Sequence, residues 1–238
     1  MEFNAFLSGL QDWAKNWPKE RTDDMSKMAK VAIHQGWYMN EALLFTLYRD
    51  LGDYDNFDAF MEDSILSSWD EFWDAIFNVE PTRAEILKEA KRCFELDCYA
   101  ASIHVFFSQA DGIFHDRFGK SLYKKEGNQA KAEISSYITD FIARDSLEAL
   151  IEHYKDASIL RRMFNEVYTA MFSVTAADPM KNIDPSNLES ELLMPNRHGV
   201  LHGLHRSYGS KMNALKVFAL LLFVIYSIHG EKMLELDA

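Results

Sequence analysis

The chain predicts an all-α fold, on three observations. Apolar residues recur at helical spacing through most of its length, no run of alternating residues is bounded by turn signals, and only 10 Gly and 5 Pro punctuate 238 residues. With 48% hydrophobic and 26% charged residues, the composition suits a globular core and excludes disordered or collagen-like structure. The length fits one large domain, or a small domain packed against an ordinary one.

Taken in order, the first 80 residues hold all five tryptophans: Trp13, Trp17, Trp37, Trp69 and Trp73. Two pairs sit four apart, so each pair shares one helix face and reads as a core or partner-facing anchor. Pro18 and the turn-rich stretch from Gly52 to Asn56 divide this region into helices near 2–16, 19–34, 38–50 and 56–77. Pro81 marks a boundary. Thr82 and Glu85 after it have the spacing of a capping box, which opens a second helical unit over 81–238. Helices are expected there near 82–92, 96–118, 128–153, 157–174 and 211–229, with a short one opening at Pro195 after the polar loop from Thr175 to Ser190. There is no internal repeat, which disfavours a solenoid.

Cys93 and Cys98 are five apart in an expected helix, where their side chains diverge, so no disulfide framework follows. The N-terminus lacks the positive start and apolar stretch of a secretory signal, and the expected location is the cytoplasm. Val217 to Ile228 is the most apolar stretch. It is shorter than the roughly 20 residues of a bilayer span, so it reads as a buried core helix rather than a membrane anchor.

A net charge of −12 opposes broad, sequence-indifferent coating of nucleic acid. The charge is uneven, however. From Leu192 to Gly230 there is no Asp or Glu, while Arg197, Arg206, Lys211 and Lys216 are basic, and His198, His202, His205 and His229 fall in the same window. Two causes fit: a local anion site, or an apolar C-terminal helix that excludes carboxylates.

The chemistry-bearing segment is Pro195-Asn196-Arg197-His198-Gly199-Val200-Leu201-His202-Gly203-Leu204-His205. Proline suits the first turn of a helix, which places Arg197 beside backbone donors that favour an anion. A continuous helix would set His198, His202 and His205 on one face. Gly199 and Gly203 would form a small-residue stripe open to another backbone, such as that of a second copy, unless they mark an irregular loop. Arginine binds phosphate oxygens in a bidentate manner, and an imidazole titrating near neutrality suits proton transfer. Asn196, His198, His205, Tyr208 and Lys211 are candidate substrate-binding residues around Arg197 and His202. Asp111, followed by Gly112 in an apolar helix, would need a charged partner such as Arg197 or His202 if buried. His34, His104, His153 and His229 stand alone on helices and read as structural.

The run Arg197-His198-Gly199-Val200-Leu201-His202 resembles the arginine, four to six residues, histidine signature of the HEPN superfamily of helical ribonucleases, over residues of about 82–229. The resemblance implies metal-independent endoribonuclease activity with catalytic Arg197 and His202 and no cofactor. It further implies a homodimer with both motifs facing one cleft, a toxin or phage-defence role, and a neutralising partner protein. Some members keep only the fold, and the first 80 residues match nothing in that pattern. Two other readings stand beside it. His198, His202 and His205 could ligate a metal, though no Glu follows His198 as in a zinc-protease helix. Alternatively the chain is a non-catalytic interaction or nucleotide-binding module whose Arg/His network is structural.

Overall fold

The computed structural model describes residues 31–32, 34–40, 42–43, 51–119, 121–123 and 194–235. The helices expected near 2–16, 128–153 and 157–174, the loop from Thr175 to Ser190, and Trp13, Trp17, Pro18 and His153 lie outside them. The described residues form an all-α bundle with no strand.

Val31, Ala32 and His34 are helical, and residues 37–40 are not. Asn40 Oδ1 accepts the amide of Leu43 at 2.9 Å, the bond of a helix N-cap, so helical backbone starts after Asn40 rather than at 38. The helix expected over 56–77 is two: α1, Phe57–Leu66, capped by Asn56, and α2, Trp69–Val79. The break falls at Ser67 and Ser68, just after Ser64. Ser64 Oγ bonds the Phe60 carbonyl and Ser67 Oγ the Ser64 carbonyl, competing with helix continuation as short hydroxyl side chains do.

The Thr82–Glu85 capping box does not form. A 3-10 turn occupies Pro81–Arg83, α3 spans Ala84–Glu95 without a side-chain cap, and Glu85 is bonded to Lys88 at 2.8 Å instead. The helix then breaks at Leu96 and Asp97, the latter at φ 58°, so Cys93 and Cys98 belong to different elements and both are free thiols. α4 runs unbroken over Tyr99–Phe118 and stops at Gly119, whose φ of 68° suits the residue without a Cβ. Gly112 does not kink it. A Cβ there would lie 2.7 Å from the Arg83 guanidinium, so this glycine makes room for Arg83, which bonds Gln109 and Asp116 on the same helix.

α5, Arg197–Leu201, is short, and α6, Lys211–Glu235, is the long central helix. α6 packs chiefly on α4, then on α2 and α1. It is long and apolar enough to cross a membrane, yet 83% of its apolar window is buried inside the bundle. Phe218 is the hub, with ring centroids 4.7 Å from Trp69, 5.2 Å from Trp73 and 5.5 Å from Phe106. Trp37, Phe60 and Trp73 are buried in the same cluster as Ile103, Phe106 and Phe218, so residues on both sides of Pro81 share one core.

Candidate functional site

α5 begins where Asn196 turns the chain in. Its Oδ1 accepts the Gly199 amide at 3.0 Å and its carbonyl accepts the Val200 amide at 2.9 Å. Asn196 is therefore a helix cap. The cap takes up Gly199's amide, one of the first-turn donors beside Arg197. The helix closes after one turn because Gly203 adopts φ 70° and the amides of Leu204 and His205 both return to the Gly199 carbonyl, at 2.8 and 3.0 Å.

That closure corrects the expected face of three histidines. His202 is the C-cap of α5, and its exposed ring lies 4.2 Å, centroid to centroid, from the exposed ring of His198. His205, carried past the turn, is buried with its ring edge-on to Tyr208. Two of the three histidines meet at the surface and the third faces inward. The glycine stripe is corrected for the same reason: Gly199 is buried within its own chain and Gly203 is the turn residue. Among the described residues, no group of three His, Cys, Asp or Glu side chains is placed to hold a metal ion.

Arg197 sits in the first turn of α5 against α4. Its Nη2 lies 4.0 Å from Asp111 Oδ2, and its guanidinium carbon lies 4.8 Å from the centre of the Tyr123 ring. Asp111 is fixed in turn, because its Oδ1 accepts Ser121 Oγ and the Leu122 amide, both at 2.8 Å. The expected pairing of Asp111 with Arg197 is thus present as a charge contact longer than a hydrogen bond. Burial pushes the Tyr123 hydroxyl well above the usual phenol range, Tyr38 and Asp111 push it further, and Arg197 opposes. A neutral ring therefore underlies the guanidinium at working pH.

The remaining candidates are held in other contacts. Tyr208 bonds His104 Nε2 through its hydroxyl at 2.8 Å, and Lys211 Nζ lies 2.6 Å from Glu62 Oε1. Tyr208 and His104 tie the loop after α5 to α4, and beside them Gly209 packs against Ala100, where a Cβ would come within 3.2 Å. His229 meets Glu80 at 2.7 Å, and His34 is exposed at the end of its helical turn. Sequence reasoning missed Tyr123 and Ser121. They follow the end of α4, and Tyr123 meets Arg197 and Ser121 meets Asp111 only through the fold, so no local spacing signals them. No protein-family model, no curated protein and no solved structure matches this chain.

Proposed function

We propose that the chain cleaves RNA without a metal ion at the exposed corner formed by Arg197, His198 and His202, as the resemblance to the HEPN ribonucleases implies. The observation that carries the reading is the meeting of two imidazoles on exposed residues, ring centroids 4.2 Å apart, the first of them directly following an arginine whose side chain remains 36% exposed. Cleavage by 2′-hydroxyl attack needs a group to take the hydroxyl proton, a group to protonate the leaving 5′-oxygen and a cation for the developing phosphate charge. His202 and His198 supply the two proton transfers within one chain, and their exposed side chains can part to flank a phosphate. Arg197 supplies the charge. The homodimer, the toxin or phage-defence role, the neutralising partner and the cytoplasmic location belong to this proposal through the resemblance, no longer through a glycine stripe. Light scattering at micromolar concentration checks the dimer.

The test is incubation of the purified chain with total cellular RNA, with and without chelator, beside His202→Ala. Chelator-insensitive cleavage that His202→Ala abolishes is expected. Intact RNA with folded protein, or cleavage lost in chelator, overturns the reading.

A second reading has its own observation. The Arg197, Asp111, Tyr123 and Ser121 contacts tie α5 to α4, as they would in a non-catalytic interaction or nucleotide-binding module. In that case Arg197→Ala lowers the melting temperature substantially and no RNA is cleaved.

A further inference from the structure

We infer that Tyr123 and Asp111 form a cradle that presets the Arg197 guanidinium for a phosphate, with Tyr123 acting as a positioning residue. The inference rests on the reading of Arg197 as the phosphate group of the site. A guanidinium carries five N–H donors in one plane, and it binds phosphate well when that plane is fixed without its donors being consumed. Both conditions hold here. The guanidinium carbon lies over the Tyr123 ring, 4.8 Å from its centre, a cation–π contact that restrains the group and uses no donor. Asp111 Oδ2 stands off at 4.0 Å, near enough to hold the charge and too far to take a hydrogen bond.

The two walls have one origin. Ser121 and Leu122 bind Asp111 Oδ1, and the next residue is Tyr123, so a three-residue turn after α4 places both the carboxylate and the ring. The Tyr123 hydroxyl donates to the Phe107 carbonyl, at 3.5 Å, while the guanidinium lies over the ring, so the ring and not the hydroxyl does the positioning.

Three variants test it: Tyr123→Leu, Tyr123→Phe and Arg197→Ala, with Tyr123→Leu also made on Arg197→Ala. The first readout is the side-chain ¹⁵N–¹H spectrum, in which the ring shifts the Arg197 Nε–H resonance upfield in the parent and in Tyr123→Phe, and the shift vanishes in Tyr123→Leu. The second is binding of inorganic phosphate and of a short oligoribonucleotide with methylated 2′-hydroxyls. Tyr123→Leu should weaken both by roughly five- to tenfold. Tyr123→Phe should retain parent affinity, and Tyr123→Leu should have no effect once Arg197 is gone. An equal loss on the Arg197→Ala background, or an equal loss in Tyr123→Phe, overturns the cradle, as does a parent spectrum without the upfield shift. If phosphate binds with this dependence on the ring while the oligonucleotide does not bind, the cradle stands and the ribonuclease reading fails.

Discussion

Two regions share the acid-free stretch from Leu192 to Gly230, and they lack carboxylates for opposite reasons. In α6, residues from Ala214 to Ile228 are buried on every side, so a carboxylate would lose its hydration with no room for a partner. Across residues 196–210, by contrast, most positions are exposed, including His198, Leu201, His202 and Arg206. Burial cannot account for the missing acids there. Three of the stretch's four lysines and arginines are met by carboxylates from elsewhere: Lys211 by Glu62, Lys216 by Asp58 and Arg197 by Asp111. The charge gap is thus a core effect in one half and a local property of an exposed corner in the other.

The sharpest way to break that contrast is at the corner. His202→Ala should lower RNA cleavage by about 10²–10⁴-fold, the usual contribution of a proton-transfer group. Arg197→Ala should be similarly harmful, and Arg197→Lys should recover part of the rate, since it keeps the charge and loses the bidentate geometry. His205→Ala should cost cleavage less than His198→Ala, because His205 is buried beside Tyr208. His202→Ala should move the melting temperature by only a few degrees. A strongly destabilised His202→Ala protein with unchanged cleavage per folded molecule would show that the corner is architecture.

In the core the pattern should reverse. Phe218→Ala removes the ring that touches Trp69, Trp73 and Phe106 and should cost about 3–5 kcal/mol. In a chain of this size that corresponds to a fall in melting temperature of roughly 10 °C. Cleavage per folded molecule, measured well below the transition, should equal the parent's. A selective loss of cleavage at full stability would mean that the core hub and the corner are coupled.

The same contrast explains what could be read from the residues alone. α4 and α6 are long and rich in apolar residues, and their starts fall within a few residues of expectation. The division at Ser67 was not legible, because helical periodicity continues through it and the side-chain bonds to the backbone that accompany it leave no mark on the apolar spacing. The corner was legible in composition and not in geometry. Arg197, His198 and His202 were identifiable, yet a continuous helix through His205 was expected where Gly203 closes α5 after one turn. Tyr123 was invisible, since it meets Arg197 through tertiary packing only.

The smallest expected effect concerns the cation that α6 does bury. Lys216 Nζ reaches the Gln35 carbonyl at 2.8 Å, lies 3.4 Å from Asp58 Oδ1 and sits over the Trp37 ring. Burial lowers the pKa of this ammonium, and the Asp58 charge and hydrogen bond only partly restore it. The folded state therefore gives up the proton more readily than the unfolded chain does. In the alkaline window just below 10.5 the unfolded state binds more protons, so the lysine's contribution to stability rises with pH there. Lys216→Met keeps the buried stem and removes the charge, and Asp58 is left partly exposed with the Trp37 Nε1 bond at 2.7 Å still in place. Lys216→Met should accordingly melt at or slightly above the parent at pH 8, and the parent should close that difference as the pH approaches 10.5. Denaturant midpoints at the two pH values measure it. A variant melting several degrees below the parent at pH 8 would mean that the attraction to Asp58 outweighs the burial cost, and that α6 needs this buried cation to dock on α1.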